Sequence, residues 1–490
     1  MPRNTIRKAL FTLLAAVFST GVHANTIVVT DLGDTTSDLV CDAQCTLREA
    51  IAAAQDGDTI TWSPSLSFPA TTLLVPGSGG LFVAKNLTIL GPGAHQLTID
   101  AQNQSRVLTI APPATAVTID GLTVARGRVQ GAEGGTQCDE DPFLGIICSI
   151  GLPGESTAGG CIHASIEQLT LSSMDIHDCA LSSGRGGHGG YLLQTIFSFG
   201  RGFDGGAGGN AMGGAIYSTG ALTMRDSSVH GVSATAGGGG NGGPSKHSLE
   251  FPDAPPGPAG NGASGGNVYG GALHSAGGAT LINVTLIADS AVGGFGGYGG
   301  TYYDPGDIPV GVGPGGNGGW VVGGVWLWQG SSKASFSTFH AGDYDLGAGG
   351  LNGGANGVFS GRFAAASDGS SPMTITKSVF SAAAATDPIA PASYCDGSAI
   401  TVSHGIADHA CGGAIVAAPE LGPKAIGALG IVTLPPVSGS GPTIDAAPDC
   451  LDANGQPVTH DANGEPRPQI GACDLGAHEV PNAVFANGFE

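Results

Sequence analysis

The side chains in this chain best suited to chemistry are aromatic and imidazole rings. Trp320, Trp326 and Trp328 fall within nine residues, and Tyr298, Tyr302 and Tyr303 precede them in GYGGTYYDPGD. An indole or phenol ring offers a flat apolar face with a polar edge, the combination that stacks on a sugar ring. Trp320, Tyr302 and Tyr303 are flanked by glycine and aspartate, so they are expected at the surface as candidate glycan contacts. Trp326 and Trp328 are expected in the core, because Trp326 aligns with isoleucine and leucine in the repeat described below. His163, Tyr217 and His274 form a second candidate set, since they recur at one repeat position.

Acid–base and metal chemistry find less support. Lyases that cleave acidic polysaccharides need clustered aspartates for Ca²⁺ and an arginine or lysine base nearby. Arg185, Arg201, Arg225 and Arg362 have no such cluster around them. Glycoside hydrolysis needs paired carboxylates, but Asp175 aligns with Ser228 and Thr285, and Asp226 with Asn283. The tripeptide Ser403–Gly405 stands alone, without partner residues. DANG occurs at Asp452 and at Asp461, but the twelfth positions of those loops are Asn463 and Ala472. An EF-hand needs glutamate there, so two Asx or type I turns are expected instead. No HExxH or Walker A pattern is present, and no cofactor, metal or catalytic residue is expected.

What positions the aromatic residues is a repeat. GGCIHASIEQLTLSSMDIHDCA begins at Gly159, GGAIYSTGALTMRDSSVHGVSA at Gly213, GGALHSAGGATLINVTLIADSA at Gly270 and GGVWLWQGSSKASFSTFHAGDY at Gly323. Their starts are 54, 57 and 53 residues apart. Each is a run of short alternating strands joined by Gly, Asn, Asp and Ser turns, followed by a long glycine-rich tract. Upstream, LTIL, LTID, LTIA, VTID and LTVA recur between Leu87 and Ala125 without long inserts. A unit of this size cannot bury its apolar face alone and must stack on its neighbours. Strands this short with a fixed phase argue for a right-handed parallel β-helix over a β-sandwich of hairpins. Ile162, Ile216, Leu273 and Trp326 should point inward. His163, Tyr217, His274 and Leu327 should point outward and form a planar stack one rung apart. The glycine-rich tracts become inserts at one corner, either unstructured or stacked as a second layer.

The N-terminus carries Arg3, Arg7 and Lys8, an apolar run from Ala9 to Phe18 and the small-x-small site Val22-His23-Ala24. This reads as a secretory signal, too short to span a bilayer. The net charge is −22, and more negative once those basic residues are removed. So acidic a chain is not built for nucleic acid. Ten cysteines in an exported chain argue for disulfides, and neighbour pairing is the economical expectation: Cys41/Cys45, Cys138/Cys148, Cys161/Cys179, Cys395/Cys411 and Cys450/Cys473. Glycine makes up 87 of 490 residues, well above the usual share of about 7%, with no collagen-type repeat along the chain. In CTLREAIAAAQDGDTITW, Thr46-x-x-Glu49 predicts a capping box. Leu47, Ile51 and Ala54 fall on one helical face. The helix is expected to cover the first rung, with the first strand starting in GDTITW.

CTLREA followed by GDTI resembles the N-terminal motif of bacterial exported β-helix proteins named for a Cys-Ser-Leu-Arg-Glu-Ala sequence, with Thr here in place of Ser. GPTIDAAPDC (Gly441–Cys450), DANGEPRPQ (Asp461–Gln469) and CDLGAHE (Cys473–Glu479) resemble the choice-of-anchor Q region. VFANGFE (Val484–Glu490) is similar to a tail on exported gammaproteobacterial proteins. The resemblance implies a pectin-lyase-like β-helix, export and attachment at or release from the cell surface, but no reaction.

The resulting expectation is an all-β solenoid with a short N-terminal capping helix and long glycine-rich inserts. Residues 1–24 are the signal and 25–57 the N-terminal cap. Residues 58–415 form the β-helix, 416–479 the anchor-like region and 480–490 the tail, with capping regions at both ends. The expected protein is a monomer, secreted or on the outer surface of a Gram-negative cell, without a transmembrane segment. Its expected role is structural, adhesive or glycan-binding, with polysaccharide or a cell-surface glycan as partner. A polysaccharide lyase or glycoside hydrolase on the same fold is the alternative.

Overall fold

The structure is a computed structural model. It describes residues 24–480 except 35–38, 142–144, 192–199, 246–256, 304–308, 323–324, 351–358, 361–363, 367–370, 383–394, 397–399, 409, 438–440 and 470. The signal-like run, Arg362 and the VFANGFE tail lie outside the described residues, as do the side chains of Leu327, Trp328 and Cys395.

Parallel pairing organises the chain into three ladders. One face starts at β1 (Thr26–Val29) and β2 (Thr59–Trp62), continues through Leu87–Leu90, Ala116–Asp120 and Gln168–Ser172, and ends at Ile400–Ser403. A second runs from Ala70–Leu73 through Leu97–Asp100, Thr123–Ala125 and Asp175–His177 to Ile406–Ala407 and Ile415–Val416. The third has eight short strands: Leu81–Val83, Leu108–Ile110, Ile162–Ala164, Ile216–Ser218, Leu273–Ser275, Trp326–Trp328, Ala364–Ala366 and Cys395–Asp396. Three ladders wound by one chain make a parallel β-helix. Each repeat unit contributes one rung, since Ile162, Ile216, Leu273 and Trp326 pair in register.

Those four residues are 0% exposed. The interior continues as a ring stack of Trp326, Phe339 and Phe380, with centroids 5.8 and 5.1 Å apart. Burying each such side chain contributes about 1.5–3 kcal/mol.

At the corner between the first two faces, one residue per rung is left-handed: Gly121, Ser173, Asp226, Asn283, Phe336, Lys377 and His404 (φ 47–68°). This single-residue kink turns the chain while both flanking ladders stay in register. Asn and Asp adopt that conformation more readily than other residues with a Cβ, and Asn283 Nδ2 donates to Asp226 Oδ1 at 2.8 Å along the column.

The N-terminus corrects one expectation. The first strand is β1, ahead of the helix, and GDTITW supplies the second. The segment Thr26–Val29 has its own alternating apolar pattern and takes the outer edge of the ladder. Between them lies α1 (Leu47–Ala53), which has the full capping box. Glu49 N–H donates to Thr46 Oγ1 at 3.3 Å, and Thr46 N–H donates to Glu49 Oε2 at 2.8 Å. Leu47, Ala50, Ile51 and Ala54 are buried in the same cluster as the rung interior.

The glycine-rich inserts form an ordered second body. Each runs outward and returns, and its N–H groups serve two neighbours with a three-residue period. In the outward strand, Gly184, Gly187 and Gly190 donate to Glu155, Leu152 and Ser149 of a return strand. Gly186 and Gly189 donate to Gly238 and Asn241 of the next outward strand. The same pattern repeats at Gly237, Gly240 and Gly243, and at Gly294, Gly297 and Gly300. A three-residue period is that of a polyproline II helix. Outward strands are parallel to one another, return strands likewise, and the two layers run antiparallel. Two of every three positions face a neighbouring backbone, so a Cβ on Gly186, Gly187, Gly205 or Gly206 would collide with a carbonyl oxygen. Only the third position has room for a side chain, as in GGFGGYGG at Phe295 and Tyr298, which are 55% and 52% exposed.

The C-terminal region is not an end cap, which corrects a second expectation. The described residues of 417–480 lie along the flank of the solenoid as a strap. Lys424 Nζ reaches Asp289 Oδ1 (2.7 Å), Val432 N–H donates to Ser228 Oγ (3.1 Å), Ala453 N–H to Ser335 Oγ (2.8 Å) and Ala477 N–H to Thr338 Oγ1 (3.1 Å). Ile431 packs with Ala94 near the other end of the solenoid. Arg467 joins the two anchor-like motifs: it is buried, pairs with Glu479 at 3.0 Å and lies over the Phe336 ring at 4.6 Å. Burial pushes the Asp474 and Glu479 carboxyls up. Both DANG segments are Asx turns. Asp452 Oδ1 accepts from Asn454 and Gln456, and Asp461 Oδ1 from Asn463 and Glu465. Disulfides join Cys41–Cys45, Cys138–Cys148, Cys161–Cys179 and Cys450–Cys473; Cys411 is also bonded.

Candidate functional site

Where the return layer of the inserts meets the third face, the two bodies form a concave corner. It holds a cavity of about 320 Å³ lined by Arg106, Glu155, Ser156, His163, Met212 and Tyr217 among others. His163 and Tyr217 pair in register on adjacent rungs, and their rings stack with centroids 5.1 Å apart and planes 11° apart.

His274 continues the column but does not continue the open face, which is a third correction. It pairs with Tyr217 in register yet is 6% exposed, and the Tyr217 ring meets it edge-on at 80°. On the insert strand, Tyr269 stands in register with Met212, and its hydroxyl is held by Asn267 Nδ2 at 2.9 Å. The accessible platform is the His163–Tyr217 pair.

Electrostatics keep this platform neutral. Burial, with the Arg106 charge nearby, pushes His163 down to about 4, and burial alone brings His274 to about 4. The Arg106 guanidinium donates to the carbonyls of Gly159 and Ala158, both at 2.8 Å, and to Thr109 Oγ1 at 3.3 Å. Two of these three donors are turned toward the backbone. The corner therefore offers neutral ring faces and polar edges.

A polar ladder runs beside the cavity on the return layer. Asn210 N–H donates to Ser156 Oγ (2.9 Å), Asn267 N–H to Asn210 Oδ1 (2.8 Å) and Trp320 N–H to Asn267 Oδ1 (2.8 Å). All four occupy the third, open position of their strands. Trp320, 47% exposed, ends this ladder. Tyr302 and Tyr303 lie elsewhere, half-buried in a two-stranded turn at the insert tip where Tyr302 pairs with Gly311. Nine residues separate Gly311 from Trp320, roughly 28 Å along a three-residue helix. The structure thus places Trp320 on the ladder of the His163–Tyr217 corner and separates both from the tyrosines. Trp326 is in the core.

The residues that the repeat alignment did not single out are Ser156, Asn210 and Asn267. The signal for Asn210 and Asn267 is the residue after the last Gly-Gly of the insert, as in GGN there and GGW at Trp320, whereas Ser156 follows Gly-Glu and carries no such mark. Among the described residues, no group of three or more His, Cys, Asp or Glu side chains is placed to hold a metal ion. Nor is any helix there long and apolar enough to cross a membrane.

No family model and no curated protein matches this chain. Among solved structures, the crystal structure of pectate lyase Pel9A overlays with a TM-score of 0.30 at 13% identity, covering 94% of this chain and 98% of that one. At that distance the likeness carries no functional residue across, and the β-helix assignment rests on the register of this chain's own strands.

Proposed function

We propose that this chain is an exported β-helix protein, secreted or held on the outer surface of a Gram-negative cell, which binds a neutral polysaccharide or cell-surface glycan. The CTLREA motif and the anchor-Q-like segments support export and surface attachment. The observation that carries the binding reading is the corner itself. A neutral, stacked His163–Tyr217 pair lines it together with Ser156, and a ladder of Asn210, Asn267 and Trp320 runs on from Ser156 along the return layer. Stacked rings supply apolar faces for sugar rings, and the ladder supplies polar groups for hydroxyls. Neutral glycans fit better than acidic ones, because Arg106 is committed to backbone carbonyls and the chain carries a net charge of −22. The test is a glycan array probed with the mature protein and with Tyr217→Ala, plus a reducing-end assay on every bound glycan. Expected are binding to neutral glycans without release of sugar, and roughly threefold to tenfold weaker binding for Tyr217→Ala, equivalent to about 0.5–1.5 kcal/mol. No binding, or binding indifferent to Tyr217, would refute the corner as the site. Sugar release would make the protein a hydrolase or lyase.

A further inference from the structure

A second cavity, of about 400 Å³, lies on another flank between the second β-helix face and the strap. It is lined by His340, Ser381, Asp408, Glu420 and Lys424 among others. His340 and Ser381 stand in register on adjacent rungs. Phe380 pairs with Ala407, so Asp408 follows Ser381 on the next rung. Ser381 Oγ lies 2.8 Å from His340 Nδ1, and the residue is 7% exposed. Lys424, on the strap, reaches into the same cavity and pairs with Asp289 at 2.7 Å.

We propose that Ser381 and His340 form a nucleophile–base pair that hydrolyses small carboxylic esters entering this cavity. A serine hydroxyl is a weak nucleophile until an adjacent base takes its proton, and the expected separation is about 2.6–3.2 Å. The base must be neutral to accept that proton. Burial lowers the His340 pKa, with Lys424 acting the same way and Asp289 and Asp408 opposing. In the reaction, the Ser381 proton passes to His340 Nδ1 as Oγ bonds to the carbonyl carbon. The Lys424 ammonium stabilises the resulting oxyanion. The bond from that carbon to the alkoxy oxygen breaks, and His340 returns the proton to the leaving alcohol. Water then attacks the acyl-serine, giving a proton to His340; the bond from the acyl carbon to Ser381 Oγ breaks, that proton returns to Oγ, and the carboxylic acid leaves. A cavity of this size falls within the range that holds small ligands, about 300–1,000 Å³.

The pair could instead be a rung-to-rung structural bond, so the test must read reactivity. The folded mature protein is treated with a fluorophosphonate probe, and the adduct is mapped by peptide mass spectrometry. Hydrolysis of p-nitrophenyl acetate is followed in parallel for wild type, Ser381→Ala and His340→Gln. Expected are an adduct on Ser381, an ester turnover that Ser381→Ala abolishes, and labelling slowed by about 100-fold or more in His340→Gln, the scale of general-base assistance. Absence of an adduct on Ser381 in folded wild-type protein overturns the proposal, whatever the stability of the variants. So does labelling unaffected by His340→Gln. None of these residues lines the glycan corner, so the two readings stand or fall separately.

Discussion

The carbonyl oxygen of Gly184 occupies the space that a Cβ on Gly237 would need, between adjacent outward strands of the insert body. One residue on, Gly238 has no atom nearer than 3.6 Å to its own hypothetical Cβ. Adjacent glycines in one tract are therefore under opposite constraints. Gly237→Ala is expected to lower stability by about 1–3 kcal/mol, the usual cost of overpacking. Gly238→Ala is expected to raise it by up to about 1 kcal/mol, through the unfolded state. Thermal melting of the two variants checks this, and equal effects would contradict the three-residue lattice.

The capping box at Thr46 and Glu49 gives a local prediction. Thr46→Ala removes the side-chain acceptor for the Glu49 amide and should cost about 1 kcal/mol of helix stability. Amide exchange in α1 should accelerate about fivefold, while exchange in the Leu169–Leu171 rung stays unchanged. An unchanged rate at Glu49 would show that the cap does not stabilise α1.

The pH dependence follows from His163 and His274, both lowered from 6.5 to about 4. The unfolded chain binds protons at these sites below about 6.5, whereas the folded chain does not until about 4. Their contribution to stability is therefore complete above pH 6.5 and falls progressively between pH 6.5 and 4. Asp58 and Asp449, whose pKa values are depressed, act in the same direction at lower pH. Glu479 and Asp474, raised by burial, act in the opposite direction. The melting temperature of His274→Phe should accordingly depend less on pH between 6.5 and 4 than that of wild type. Parallel profiles would mean that His274 is protonated as readily when folded.

How much of this was legible in the sequence depended on the physics at each position. The inward column of Ile162, Ile216, Leu273 and Trp326 was readable because apolar residues at a fixed repeat phase have one place to go. The α1 cap was readable because its hydrogen bonds are local. The burial of His274 was not, since its repeat position is the same as that of the more exposed His163 and Tyr217, and periodicity on the solenoid does not encode what packs over each rung. The insert lattice left a trace in GGFGGYGG, but only the backbone bonds from Gly186 to Gly238 reveal that the period of three is structural. The placement of residues 417–480 was hidden because it rests on long-range contacts, such as Asn283 with His460. The His340–Ser381 pair was hidden because His340 falls in the last aligned repeat while Ser381 lies 41 residues on, where the spacing of the earlier repeats is lost.

A stack of rungs in which each touches only its neighbours can unravel one rung at a time from either end. The strap alters that. A single segment is fastened near Ala94, again at Ser228 and Asn283, and again at Thr338 and Lys377. It works as a tie rod: a terminal rung cannot peel away far without straining fastenings many rungs distant. Fraying at one end becomes coupled to the middle of the solenoid. A shear load along its axis would be shared among many rungs.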